Sequence, residues 1–88
     1  MIEKELSIPN RLGLHARPAS LLVKTLARFE SDIFISRDNQ IVNGKSIMGI
    51  MMLAAEYNSK VLFKISGEDE EDAVEAIEEL FKRKFDEE

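Results

Sequence analysis

The sequence predicts a two-layer α+β fold in which helices pack against one side of a β-sheet. Two hydrophobic patterns point to this class. Some short segments place apolar residues at every second position, and some longer segments place them three or four positions apart. These segments follow one another in the order β-α-β-β-α-β-α. A chain of 88 residues has room for one hydrophobic core, so we expect a single domain over residues 1–88.

The first strand and the first helix meet at His15, the only histidine of the chain. Upstream, apolar residues alternate with polar ones, which is typical of a half-buried strand: Ile2, Leu6 and Ile8. Downstream, Pro18 fits the first turn of a helix that we expect over residues 16–29. The apolar face of this helix consists of Ala19, Leu22, Val23, Leu26 and Phe29.

The middle of the chain predicts a β-hairpin and, further on, a fourth strand. A strand centred on residues 33–35 and a partner over residues 40–43 flank Asp38-Asn39, a pair with turn chemistry. The fourth strand has a strict alternation of apolar residues, which are Val61, Phe63 and Ile65.

Two further helices complete the prediction. Ser46 is a suitable N-cap for a short helix that starts at Ile47, and Asn58-Ser59 is expected to end it. The last helix begins within the acidic run of residues 68–72, since negative charge favours a helix N-terminus. Its buried face is expected to consist of Ala73, Ile77, Leu80 and Phe81.

Charge and composition exclude several classes of function. Residues 68–88 carry 11 acids and 3 bases, whereas residues 1–67 carry 9 bases and 6 acids, so we expect no nucleic-acid binding. No apolar run approaches a membrane span and no secretory signal is present, which predicts a cytoplasmic protein without membrane contact. One histidine, no cysteine and no nucleotide-binding motif predict that the chain uses no metal and no cofactor.

The segment around His15 has the residue types of a phosphate site. At the N-cap of a helix, its ring would lie beside the free amides of Ala16 and Arg17 and the positive end of the helix dipole. The Arg17 guanidinium adds donors shaped for phosphate, and a neutral imidazole nitrogen is a nucleophile toward phosphorus. The residues alone leave a second interpretation open, in which His15 only caps the helix and Arg17 is a solvated charge.

Two motifs resemble one known family. The string GLHARPAS, followed by LLVKTLARF, resembles the active-site segment of HPr, the histidine-containing phosphocarrier family of the bacterial phosphoenolpyruvate:sugar phosphotransferase system. The string VNGKSIMGIMML, at residues 42–53, resembles the regulatory-serine region of the Gram-positive form of this family. The resemblance implies an open-faced sandwich, a four-stranded antiparallel sheet with three helices on one face.

The resemblance also implies a carrier protein rather than an enzyme. His15 would accept a phosphoryl group on Nδ1 from enzyme I and pass it to a histidine of a sugar-specific enzyme IIA. Arg17 would assist this catalytic step, and Ala16 and Arg17 would bind the phosphate. The surface that meets these partners would include Ser20, Lys24, Ile47, Met48 and Met51. We expect the protein to be a monomer.

Ser46 matches the regulatory serine of the family. This match implies phosphorylation by an HPr serine kinase/phosphorylase and, as a further partner, a catabolite-control transcription factor. An N-cap serine is compatible with that role, because its hydroxyl is exposed enough for a kinase.

Three alternative functions remain open at this point. A small phosphate-binding enzyme of the acylphosphatase type could use Arg17 and Asn43, although the glycine-rich anion loop of such enzymes is absent from the sequence. A purely regulatory relative would act through phosphorylated Ser46, but relatives of that kind lack the histidine found here at position 15. The nitrogen-linked branch of the same carrier family is also open. For the methionines of the second helix, core filling is the alternative to docking.

Overall fold

One antiparallel sheet carries the helices in the computed structural model, which describes residues 1–87. The strands are β1 (Ile2–Ser7), β2 (Asp32–Arg37), β3 (Gln40–Asn43) and β4 (Lys60–Ser66). The helices are α1 (Ala16–Leu26), α2 (Ile47–Met52) and α3 (Glu70–Lys82). Strand order across the sheet is β1-β4-β2-β3, and every neighbouring pair is antiparallel. The predicted α+β class and element order are confirmed.

The two central strands supply one apolar face of the sheet. Ile33 and Ile35 of β2 stand opposite Ile65 and Phe63 of β4, and these side chains are fully buried. The residues between them point to the other face, where Phe34 remains 43% exposed. Because side chains alternate across a strand, this register directs one set of residues toward the helices and the other toward solvent.

The predicted hairpin forms between β2 and β3. Arg37 pairs with Gln40, so Asp38-Asn39 is a two-residue loop. Asp38 adopts a φ of 55°, a conformation that aspartate tolerates better than most residues. The turn prediction is therefore confirmed.

Helix α1 starts where predicted but ends three residues early. Its C-terminal turn tightens, since the amides of Arg28 and Phe29 donate to carbonyls three residues before them, those of Thr25 and Leu26. The helix buries Pro18, Ala19, Leu22 and Leu26 against the sheet.

Helix α2 also starts as predicted, but the expected end at Asn58-Ser59 is wrong. The helix ends at Met52, and Ala54 takes a φ of 50°, which a right-handed helix does not accept. Arg37 of β2 then donates from one guanidinium nitrogen to the carbonyls of Leu53 and Ala54, at 3.0 and 2.8 Å. This contact fixes the end of α2 against the sheet.

Helix α3 buries the four residues that the periodicity predicted, Ala73, Ile77, Leu80 and Phe81. At its N-terminus, the Asp69 carboxylate accepts hydrogen bonds from the Ser31 hydroxyl and from the amides of Glu30 and Ser31. These bonds, the Ser31 hydroxyl first among them, lower the pKa of Asp69 below its usual value. The carboxylate joins the start of α3 to the segment that enters β2.

The chain continues past α3 into a segment that the sequence did not predict, which we call the C-terminal clasp (residues 84–87). Lys84, Phe85 and Asp86 all have left-handed backbone angles, with φ of 55°, 55° and 59°. Such angles cost about 1–2 kcal/mol for each residue that is not glycine. Phe85 is nevertheless 1% exposed and packs on Phe81, with ring centroids 5.0 Å apart. Burial of this ring stabilises a backbone that is unfavourable by itself.

Candidate functional site

His15 lies at the junction that the sequence predicted, immediately before α1. Its backbone is extended, and its carbonyl accepts the first helical hydrogen bond, from the amide of Ala19 at 3.0 Å. The side chain makes no capping hydrogen bond to the helix, so the interpretation of His15 as a simple cap does not describe its ring.

The loop before His15 is fixed to the segment that follows α2. The amide of Leu14 donates to the carbonyl of Ala55 at 2.9 Å. Gly13 has a φ of 74°, and a Cβ atom there would lie 2.5 Å from the same carbonyl oxygen. Only glycine fits this close approach. The position of the histidine therefore depends on two chain segments that lie some forty residues apart.

The first turn of α1 offers two backbone donors in the residues that directly follow His15. The amides of Ala16 and Arg17 have no carbonyl partner within the helix, because the first amides of any helix lack one. Pro18 contributes no amide at all. Ala16 and Arg17 are both exposed. An anion at this end of α1 would meet two N–H groups and the positive end of the helix dipole.

The ring of His15 is held by a carboxylate from the clasp. Its Nε2 lies 2.9 Å from Oε2 of Glu87, and the side chains are 39% and 10% exposed, respectively. An ionised carboxylate can only accept, so Nε2 must carry the proton that is shared. In the neutral ring this leaves Nδ1 with the free lone pair.

Asn10 holds the other oxygen of the same carboxylate. Its Nδ2 donates to Oε1 of Glu87 at 2.7 Å and to the carbonyl of Gly13 at 2.8 Å. Asn10 is fully buried, and among residues 1–87 its Oδ1 has no hydrogen-bond partner. The side-chain amide of Asn10 is therefore the donor in both contacts. Its bond to Oε1 orients Glu87 toward the loop that precedes His15, which we call the histidine loop.

Arg17 projects from α1 into a groove that extends along the helix. Its side chain is exposed and, within the described part of the chain, makes no ion pair or hydrogen bond. Ser20 and Lys24, one and two turns further along, line the same groove with Phe85 and Asp86 of the clasp. The structure therefore brings together three of the residues that the sequence predicted for phosphate and partner binding.

Helix α2 presents its methionines to solvent. Ile47 and Met51 are 40% and 41% exposed and Met48 is 73% exposed, so none of the three fills the core. Ser46 caps the helix as predicted, since its Oγ accepts the amide of Gly49 at 3.1 Å. Ile50 is the residue of this helix that is buried.

Met51 also lines an open groove of about 640 Å³ that contains His15. Leu12 and Tyr57 lie in the same groove and are 75% and 51% exposed. The sequence did not single out these two residues, because isolated apolar residues in loops carry no periodic signal. They extend the apolar surface of α2 up to the histidine.

The structure contains no sign of a metal site or a membrane segment in the residues it describes. No three histidine, cysteine or acidic side chains among them are grouped so that they could hold a metal ion. Within residues 1–87, no helix has the length and apolar character needed to cross a bilayer.

Comparison with known proteins identifies the family. Residues 2–83 match the family described as the phosphorylation site of the HPr component of the phosphotransferase system. This chain belongs to the HPr family. The phosphocarrier protein HPr of Treponema pallidum is 48% identical over 88 residues, which is all of both chains. The structure of HPr-C-His from Thermoanaerobacter tengcongensis is 46% identical and has a TM-score of 0.95, with 100% of this chain and 99% of that one covered.

Family membership confirms several predictions. The chain is a phosphocarrier protein of the phosphotransferase system rather than an enzyme, and its fold is the HPr fold.

The HPr-like protein Crh of Halalkalibacterium halodurans is also similar, at 46% identity over 77 residues, 88% of this chain and 92% of that protein. A solved HPr dimer from T. tengcongensis matches with a TM-score of 0.77 and 46% identity, covering 97% of this chain and 98% of that one. Our expectation of a monomer stays a prediction.

Proposed function

We propose that this HPr-family carrier takes a phosphoryl group on Nδ1 of His15 from the phosphohistidine of enzyme I and delivers it to a histidine of an enzyme IIA. One observation supports this most directly. Glu87 engages Nε2 of a half-exposed ring at the N-terminus of α1, which leaves Nδ1 as the nucleophile, in the residue directly before two amides that lack a partner within the helix. The site is open to solvent, as a carrier that meets large partners requires.

The transfer is a displacement at phosphorus. The lone pair of Nδ1 forms the new N–P bond while the N–P bond of the donor breaks, and that electron pair stays on the donor ring. The amides of Ala16 and Arg17 and the Arg17 guanidinium stabilise charge on the phosphoryl oxygens during this step. Because Ala16 and Arg17 are exposed, the product is held loosely enough to move on to enzyme IIA.

The docking surface of the proposal consists of the exposed faces of α1 and α2. It contains Ser20 and Lys24 from α1 and Ile47, Met48 and Met51 from α2. Methionine adapts its shape to different partners, which suits one surface that must meet both a donor and several acceptors. Arg17 and Lys24 favour partners with acidic residues around their own histidine.

Ser46 is the proposed site of regulation. Its hydroxyl caps α2 at the border of the docking surface and is half-buried. Phosphorylation by an HPr serine kinase/phosphorylase would add about −1.5 to −2 charges there. The phosphorylated form would bind a catabolite-control transcription factor, and the whole cycle would take place in the cytoplasm with a monomeric carrier.

The experiment that tests the carrier function is phosphate uptake by His15→Ala. The protein is incubated with phosphoenolpyruvate and enzyme I, and incorporated phosphate is tested for lability in acid and stability in base. We expect uptake to vanish while the free energy of unfolding falls by only about 1 kcal/mol, since one hydrogen bond to Glu87 is lost. Ser46→Ala is the matched control, which should keep acid-labile phosphate. Uptake by folded His15→Ala protein would contradict the proposal.

The acylphosphatase alternative has no support from the site. Asn43 would have to bind phosphate together with Arg17, but Arg17 lies in the first turn of α1, whereas Asn43 ends the edge strand β3 and its side chain is engaged in the turn before α2, where Oδ1 accepts the amide of Lys45 at 2.8 Å. Hydrolysis of an acyl phosphate by the isolated protein would be the observation that revives it. The purely regulatory alternative would leave His15 and its contacts without a role.

A further inference from the structure

We propose that Glu87 is a positioning residue for phosphoryl transfer, and that the C-terminal clasp exists to place its carboxylate on Nε2 of His15. The inference rests on the proposed function of His15 as the phosphoryl acceptor. It assigns a role to a residue 72 positions away from the histidine in the sequence.

The backbone of the clasp is strained, and the burial of Phe85 offsets that strain. Three consecutive residues, Lys84, Phe85 and Asp86, have left-handed backbone φ angles. Residues other than glycine adopt such angles rarely. Buried Phe85 fixes this turn against Phe81 and α1, and the bidentate contact of Arg83 with Asp86 fixes it from the outside. The residue that follows the turn is Glu87, so the strained backbone aims this side chain.

The carboxylate of Glu87 has one oxygen for each of two donors. Oε2 faces Nε2 of His15, and Oε1 faces Nδ2 of the fully buried Asn10. Asn10 is itself bound to the carbonyl of Gly13 in the histidine loop. The ring, the loop and the clasp thus form one hydrogen-bonded unit, within which the Glu87 side chain is 10% exposed.

This arrangement acts on the reaction in two ways. It fixes the ring with the proton on Nε2, so that Nδ1 points its lone pair at the phosphoryl donor. When Nδ1 bonds to phosphorus, the ring keeps the Nε2 proton and becomes a positively charged phosphoimidazolium. The carboxylate faces that proton and stabilises the positive charge as it develops, in the manner of the aspartate that orients a catalytic histidine.

The test uses phosphoramidate as a small phosphoryl donor, because it bypasses protein docking. Its P–N bond breaks, ammonia leaves, and the phosphoryl group bonds to His15. We expect Glu87→Gln and Glu87→Ala to react about tenfold more slowly than wild type, the effect of losing one charge-assisted hydrogen bond that strengthens along the reaction. Glutamine offers one acceptor and one donor, so it cannot satisfy both His15 and Asn10.

A second readout follows the ring directly. In wild-type protein, NMR should detect the Nε2-bound proton of His15 with exchange slowed by the carboxylate, and both variants should lose this signal. Glu75→Gln is the matched control, since it makes the same substitution at an exposed carboxylate of α3, outside the clasp and the loop before His15. It should stay within about twofold of the wild-type rate.

The outcomes separate this inference from the carrier function. Absence of uptake by the wild-type protein would overturn both. Normal uptake by wild type together with unchanged rates in the Glu87 variants would overturn the role of Glu87 alone. A faster reaction in those variants would overturn it as well, because the carboxylate would then chiefly repel the phosphoryl group.

Discussion

Arg17 is exposed in the first turn of α1, in the groove it shares with Ser20 and Lys24. Its guanidinium can offer two parallel donors to a phosphoryl group, which the single ammonium of lysine does not reproduce. Arg17→Lys should therefore slow phosphoryl uptake from enzyme I by about 10–100-fold at nearly unchanged stability. Rates measured at saturating and at low concentrations of carrier separate the loss of transition-state stabilisation from weaker docking.

Arg28→Lys provides the control for this prediction, because it makes the same change two residues after the end of the same helix. Arg28 donates to the carbonyl of Thr25 and lies over the ring of Phe29. Its replacement should leave uptake within about twofold of wild type. Equal losses in both variants would mean that the effect is not specific to position 17, and a normal rate in Arg17→Lys would mean that Arg17 acts through its charge and not through its geometry.

The sequence predicts the position of His15 and Arg17 because both belong to one short segment, in which neighbouring residues are enough to indicate where the helix starts. Glu87 and Asn10 are 77 residues apart and meet only in the folded chain. Glu87 lies in an acidic terminus in which no single carboxylate stands out, and Asn10 reads as an ordinary turn residue. Phe85 was the available clue, since it lies four residues after Phe81.

Helix α2 joins two functions at its first turn, capping by Ser46 and docking by the exposed residues that follow. Aspartate can cap a helix as serine does, so Ser46→Asp should leave the melting temperature nearly constant. The added charge next to Ile47 and Met48 should slow transfer from enzyme I, because a partner must desolvate or face it. Ser46→Ala should show the reverse pattern, with a loss of about 1 kcal/mol in stability and a normal rate.

Salt dependence distinguishes the two causes in the Ser46→Asp variant. Added salt should restore part of the rate if repulsion dominates, and little of it if desolvation does. A normal rate at low salt, or a melting temperature many degrees below wild type, would contradict the predicted role of this helix.

The start of α3 depends on pH through Asp69. Hydrogen bonds from the Ser31 hydroxyl and the Glu30 amide lower its pKa in the folded protein. Because the folded pKa is lowered, the ionised carboxylate stabilises the protein at pH values above its unfolded pKa. This contribution is lost as the pH falls through the folded pKa. Asp69→Asn should thus be less stable than wild type at pH 7, and the difference should shrink below about pH 4.

Urea denaturation at a series of pH values measures this difference. Asp72→Asn removes a carboxylate from the exposed side of the same turn, without the contacts to Glu30 and Ser31. The stability difference between Asp72→Asn and wild type should be smaller than that of Asp69→Asn and should vary less with pH. A constant deficit of Asp69→Asn down to pH 2 would show that the substitution acts through something other than the charge of the carboxylate.

On the scale of the whole molecule, three phenylalanines connect the sheet to the C-terminus. Phe63 of β4 meets Phe81 of α3 edge to face, with centroids 5.7 Å apart, and Phe81 meets Phe85 of the clasp. Phe85→Ala should lower the free energy of unfolding by about 3–5 kcal/mol, because the ring is almost completely buried. Phe34→Ala, on the exposed face of the sheet, should cost about 1 kcal/mol or less. If urea denaturation shows a loss for Phe85→Ala that is as small as the loss for Phe34→Ala, the clasp is not part of the core.

Strand order and the clasp are the parts of the molecule that the sequence could not predict. Alternation in β4 identifies Val61, Phe63 and Ile65 as core residues, but it does not say which strands lie beside β4. Neighbouring positions in the sheet depend on contacts between distant segments, and periodicity contains no information about them. The family resemblance supplied the antiparallel sheet with its helices on one face.

The contact between Gly13-Leu14 and Ala55 has a thermodynamic consequence for the two proposed phosphorylation sites. It joins the loop that carries His15 to the segment leaving α2, the helix that Ser46 begins. Any influence of a phosphate on Ser46 upon the phosphorylation equilibrium of His15 is a coupling free energy, and such couplings are reciprocal. A phosphoryl group on His15 must then change the equilibrium at Ser46 by the same factor. The molecule would report the state of each site to the enzyme that acts on the other.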